Sequence, residues 1–349
     1  MRLSRVGILI VISSIILVGA NCSYYNRLIA RRNVVDGAIA YKAGKFPDAE
    51  GYFRKAVSLD PEGKSEEGRT ARLFLARTLH AQYLGNRTGD AAKAMAEEAI
   101  KNYRLVLADD VNDQGSFKAV ANLYETLASQ NESERDKWAQ DLEKWRVERA
   151  ENTNVVPKYR ADAYASLAAK QYSCANELSD IPDKVKKTVK KDGKDVFQFV
   201  KPENPADYTK FTECVQKGVE LIDKAVALEN EEAKNAKSVE VKPLTLTDLA
   251  KLNELVKIWG KVWSYKSSLM NQSLRWADMD GRTPDKDSFK AKADEAKAKF
   301  LEYTQIEKKI DTEKDERIKA ADPTLANTSN TNATNAANAA NTTNANTKK

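Results

Sequence analysis

The chain has 349 residues, 42% hydrophobic and 31% charged, with only 14 Gly and 9 Pro, a mixture that favours helix over sheet. Its formal charge is +6, an excess too small to imply a nucleic-acid partner, and removing Arg2 and Arg5 of the N-terminal segment leaves +4 (6 minus 2). A single histidine, His80, removes most histidine-dependent catalysis and most histidine metal sites.

Arg2 and Arg5 precede an apolar stretch from Val6 to Ala20. At ~1.5 Å per residue it reaches roughly 22 Å, short of the ~30 Å hydrocarbon core of a bilayer and the size of a signal-peptide apolar region. Leu17-Val18-Gly19-Ala20-Asn21-Cys22 then resembles a bacterial lipoprotein signal, with Asn21 where a small residue is usual. The resemblance implies an exported protein cleaved after residue 21, lipidated at Cys22 and held to the membrane by a tether over 22–32. The alternative is an uncleaved signal anchor with Cys22 a bystander.

Gly37, Tyr41, Gly44, Phe46, Ala49, Phe53, Ala56 and Pro61 follow at the spacing of a helical hairpin. Small residues let two helices approach and aromatics fill the gap one turn away. Gly44 ends the first helix, since glycine takes the left-handed conformation cheaply, and Pro61 stops the second. These residues closely resemble a tetratricopeptide repeat, with Tyr41 one place late and Asp36 where leucine is usual. The resemblance implies an all-α, TPR-like solenoid of stacked hairpins that binds other proteins.

A second unit runs from about Arg69 to Val111, with Leu75, Ala76 and Leu79 in its first helix and Ala99, Tyr103 and Val106 in its second. A third begins at Phe117 with Val120, Ala121 and Tyr124, and its second helix keeps only Trp138, Leu142 and Trp145. A fourth starts after Pro157 with Tyr164, Leu167 and Ala168 and resumes much later at Gly218, Ile222, Ala225 and Leu228. A last helical pair, Leu246 to Tyr303, reads as a cap, because terminal repeats are atypical. The repeat domain is therefore expected over 33–303, with a helical or linker extension over 304–323.

The insertion, 178–204, holds the one strand signal: two alternating runs flank Asp192-Gly193, a two-residue hairpin turn. Residues 183–201 hold seven Lys and three Asp, a net of +4. Lys186, Lys187, Lys190 and Lys191 are candidate contacts for an anionic polymer or lipid headgroup; the alternative is a solvated hairpin whose lysines discourage edge pairing. Cys174 and Cys214 sit on helices flanking the insertion, so in an oxidising compartment they would form a disulfide at its base, and in a reducing one remain free thiols. Residues 324–349 are almost only Asn, Ala and Thr and read as a disordered tail.

No catalytic, cofactor or metal residues are expected. His80 has no histidine partner and lies mid-helix. Asp278-Met279-Asp280-Gly281 would put Trp276 at the first ligand place of a calcium loop, so an interhelical turn is expected there. The five tryptophans, Trp138, Trp145, Trp259, Trp263 and Trp276, lie mainly at helical spacing, as core packing requires, with a binding groove the other reading. Protein partners are expected, with no small-molecule substrate.

Overall fold

The computed structural model describes residues 5–321, with side chains from Tyr24 onward except that of residue 191. The side chains of the signal segment 1–21 and of Cys22, and the tail 324–349, thus lie outside the described residues. Among the described residues no helix is long and apolar enough to cross a membrane. The chain divides into two compact units, one ending at Val155 and the other beginning at Val156.

In the first unit six helices pair in chain order: α1 (Arg5–Lys42) with α2 (Phe46–Leu59), α3 (Glu66–Gly85) with α4 (Asp90–Asp109), and α5 (Gln114–Gln130) with α6 (Arg135–Glu151). Each pair also packs on the next, α2 on α3 and α4 on α5. This is the all-α, TPR-like arrangement in which one hairpin buries its neighbour's apolar face.

The first hairpin shows why its residue types are needed. Phe53 and Ala49 are fully buried, and Phe53 stacks on Phe74 of α3 at 5.5 Å between centroids. A Cβ at Gly37 would stand 2.7 Å from the Phe53 ring, so α1 passes over that ring only because residue 37 has no side chain. Gly44 turns the chain at φ +72°, a conformation side chains rarely adopt. Tyr41 meets Phe46 edge-on at 5.4 Å. Pro61 lies two residues past the end of α2 and its carbonyl accepts from Arg72 Nη2 at 2.6 Å.

The connection into α3 is organised by Asp60, which accepts from Ser65 N at 2.7 Å, Ser65 Oγ at 2.7 Å and Lys64 N at 3.1 Å. Ser65 caps α3 by accepting from Gly68 N at 3.0 Å. Burial disfavours the Asp60 carboxylate, but the Ser65 and backbone donors outweigh it and hold its pKa below the usual value. Arg54 of α2 grips Glu98 of α4 with two 2.6 Å bonds, joining the second helices of consecutive hairpins. That pair is half-exposed and adds little to stability.

In the second unit α7 (Pro157–Ser179) pairs with α8 (Pro205–Val226), and α10 (Leu246–Met279) pairs with α11 (Thr283–Ala321) and packs on both α7 and α8. A short α9 (Glu231–Asn235) lies between. Thr245 starts α10, accepting from Asp248 N at 3.1 Å and donating to Asp248 Oδ2 at 2.7 Å. Glu229 knits the connection to the final hairpin, accepting from Trp263 Nε1 at 3.0 Å and Tyr303 OH at 2.7 Å. Helix α11 runs unbroken to Ala321.

Strands β1 (Lys186–Lys191) and β2 (Lys194–Phe199) form an antiparallel hairpin, Val189 opposite Val196, turning at Asp192 and Gly193 with φ of 52° and 73°. The helices around it are longer than their repeat residues imply. Helix α7 continues to Ser179 and α8 begins at Pro205, so both cysteines lie within helices and the excursion between those helices spans 180–204.

Candidate interaction surfaces

The repeat residues divide into those that meet and those that do not. Gly37, Phe53, Ala49 and Ala56 come together beneath α3, and Leu75, Ala76, Leu79, Ala99 and Tyr103 are buried in the second hairpin. Val106 is only half-buried, and the deeply placed residue is its neighbour Leu107. Trp138 and Trp145 are buried against Tyr124 and Phe117 respectively.

His80 is enclosed by Tyr103, whose OH lies 3.5 Å from Nδ1, and Asn122, whose Oδ1 lies 3.2 Å from Nε2. Burial lowers its pKa, only partly opposed by Asn122. The folded value lies below the unfolded one, so the unfolded chain takes up the proton first. Stability is therefore full above about pH 6.5 and falls as pH drops toward the folded pKa. Thermal unfolding at pH 7.5 and 5.5 should show a larger loss for wild type than for His80→Gln. Equal losses would mean His80 contributes nothing to acid sensitivity.

One surface of the first unit is concave. A cleft of about 360 Å³ opens between the end of α4, α5 and α6, its walls including Arg104, Phe117, Trp145, Glu148 and Arg149. Phe117 and Trp145 stack at 5.4 Å, with Arg149 4.8 Å from the Phe117 ring centre and Arg104 4.7 Å from that of Trp145. The result is a run of cation, ring, ring and cation. Trp145 Nε1 donates to the Phe117 carbonyl at 3.2 Å and fixes the indole. Arg149 is buried and bonds the Val111 carbonyl and, at 2.9 Å, Gln114 Oε1. Arg104 remains half-exposed, 4.0 Å from Glu148. The cleft can thus offer an apolar wall and an accessible guanidinium. Sequence reasoning missed both arginines, because nothing in the spacing of 104 and 149 announces that they flank one aromatic pair.

The second surface is the β-hairpin. Only its base is buried: Val185 and Phe199 join Ala175, Phe211, Cys214, Val215 and Met279 in one cluster. Cys174 and Cys214 are bridged there, with Cα atoms 6.1 Å apart. Phe199 N donates to Asp278 Oδ2 at 2.8 Å, and the Arg275 guanidinium lies 4.7 Å from the Phe199 ring centre. Tyr208 OH bonds Asp280 at 2.5 Å and receives Trp276 Nε1 at 3.0 Å, while Lys201 pairs with Asp280 at 2.9 Å. Asp278 thus lies in the last turn of α10 and Asp280-Gly281 in the turn to α11, and the two carboxylates hold the hairpin base.

Beyond the base the strands are exposed. Lys187 and Lys190 are free of the core, but Lys186 is half-buried, bonded to Asp180 at 2.7 Å and lying 4.5 Å from the Phe197 ring centre. Lysine 186 is therefore committed within the chain, and the side chain of Lys191 lies outside the described residues. Lys194 is exposed, and Phe197, on the opposite face of β2, is 62% exposed. Among the described residues no three His, Cys, Asp or Glu side chains cluster as a metal site would require.

The class these features define is an all-α protein of paired helices with a stapled β-hairpin insertion. No protein-family model and no curated protein matches the chain. A solved structure of PilF from Pseudomonas aeruginosa aligns over 81% of this chain and 99% of its own, at 13% identity and a TM-score of 0.29. So distant a likeness carries no weight for fold or role.

Proposed function

We propose that this chain is a non-catalytic scaffold of the cell envelope whose helical hairpins bind a partner protein, with the cleft of the first unit as a principal seat. The supporting observation is the Arg104–Trp145–Phe117–Arg149 run facing an open cleft. Arginine is among the residue types that dominate binding energy when a partner buries them, and Arg104 is the member of this run that stands exposed, held against the buried Trp145 ring. The envelope assignment rests on the export-like segment 1–21, Cys22 as the lipid-bearing residue, and a disulfide that suits an oxidising compartment; the stretch 22–32 expected as a tether is instead part of α1, and Ala30 is already packed on Ala56 and Ala71. The repeat body over 33–303 and its helical extension along α11 to Ala321 complete the proposed organisation.

A second reading is favoured by the exposed Lys187, Lys190 and Lys194, with Lys190 on the face of the exposed Phe197 and Lys187 and Lys194 on the other: contact with an anionic envelope polymer or lipid headgroup through the hairpin. One experiment separates the two. Full-length tagged chain is recovered from detergent-solubilised envelopes, and co-purifying proteins are quantified for wild type, Arg104→Glu and Lys187→Gln/Lys190→Gln. The scaffold reading expects a protein partner whose recovery falls about tenfold or more with Arg104→Glu, the scale of an interface hot spot. No protein above background would sink it. Salt-sensitive retention of polymer or lipid, lost with the lysine variant alone, would establish the second reading in its place.

A further inference from the structure

Helix α1 packs on its own unit through one face only. Ala30, Gly37 and Ala40 are buried on that face, with Asn33, Val34 and Tyr41 partly so. The opposite face is bare and apolar: Tyr25 is 64% exposed, Leu28 49%, Val35 51% and Ile39 63%. A first repeat that ended its stack would carry a polar outer face for solubility. These residues instead fall at 25, 28, 32, 35 and 39, the alternating three- and four-residue steps of a heptad seam, with Arg32 as the single charged member.

We propose that this face is covered by α1 of a second copy of the chain, in parallel. Three observations single out that occupant. The seam has coiled-coil spacing, in which the first and fourth heptad positions of one helix enter holes on the other. With Tyr25, Arg32 and Ile39 at the first position and Leu28 and Val35 at the fourth, Arg31 falls at the seventh and Asp36 at the fifth of the following heptad. In a parallel pair these two positions face each other across the interface, so Arg31 of each copy meets Asp36 of its mate twice over by symmetry. Arg31 is exposed and Asp36 half-exposed, bonded only loosely to Arg32 at 3.7 Å, so both are placed to pair. The single Arg32 pair at the seam would set register, as one polar first-position residue does.

The seam from 25 to 39 is short, about 21 Å of helix, and such a length is marginal as an isolated coiled coil. Here α1 is already held helical by α2 and α3, so pairing does not bear the cost of helix nucleation. Co-tethering two copies on one membrane would raise their effective concentration further.

The test is sedimentation equilibrium of the full chain in detergent. Wild type should associate reversibly to a dimer. Val35→Asp and, separately, Leu28→Asp should weaken association by about tenfold or more. Both side chains are exposed, so circular dichroism should show unchanged folding. Arg31→Asp should weaken the dimer and Arg31→Asp/Asp36→Arg should restore part of it. Oxidation of the V35C chain should link two copies between identical peptides, read by mass spectrometry. A monomer at the highest attainable concentration overturns the proposal, as does a dimer indifferent to Val35→Asp. Mixed L28C and V35C chains that link 28 to 35 would mean antiparallel pairing and overturn it too. So would monomers that bind phosphatidylglycerol vesicles through this face and lose that binding with Val35→Asp, which would assign the face to lipid.

Discussion

Replacing Cys174 and Cys214 together by alanine should lower the stability of the second unit by about 3–4 kcal/mol, the loop-closure value for their sequence separation of 40. The bridge joins the C-terminal half of α7 to the N-terminal half of α8, and between them the chain leaves the helical body to make a mostly exposed hairpin. Without the cross-link the unfolded chain regains the freedom of that long excursion, whereas the folded chain loses little packing, because alanine keeps the site apolar. Cys214 is buried in the same cluster as Val185 and Phe199, so the hairpin base should loosen with it. Urea unfolding of oxidised wild type against the double variant measures the difference, and reductant should move wild type toward the variant. A loss below about 1 kcal/mol would mean that α7, α8 and α10 fix the insertion unaided.

Phe53→Ala should cost the first unit about 3–5 kcal/mol. Phe53 is fully buried, stacked on Phe74 and roofed by Gly37. Its surroundings cannot collapse into the space: Ala49 and Ala56 have no reach, and α1 brings no side chain at 37. The lost burial therefore adds to a persistent cavity. Phe46→Ala should cost clearly less, since Phe46 is half-buried and packs edge-on at the turn. Denaturant unfolding of the two variants side by side decides it. Equal costs would mean that the ring beneath Gly37 is not the centre of this hairpin.

Much of the first unit was legible because its information is local. Gly37, Gly44, Phe53 and Pro61 act through neighbours a few turns away, and a helical period plus a glycine with φ of +72° need no distant partner to be read. Legibility fell where packing departs from the repeat spacing. Val106 and Leu107 are adjacent, and periodicity alone cannot decide which turns inward when a helix rotates slightly about its axis. Spacing also did not show that Cys174, Ala175, Phe211 and Val215, near the facing ends of α7 and α8, form one cluster with the hairpin base.

The sequence by itself determined the helical class, the pairing of successive helices, the two-residue turn at Asp192-Gly193 and a cysteine pair flanking the insertion. Each follows from spacing, turn chemistry or composition, which act over a few residues. Only the tertiary structure decided that Arg104 and Arg149 flank one stacked pair of rings, that Lys186 is spent on Asp180 and Phe197, and that α1 turns an apolar seam outward. Those outcomes depend on which surfaces remain after the helices have packed, and burial is a property of the assembled unit rather than of any segment within it.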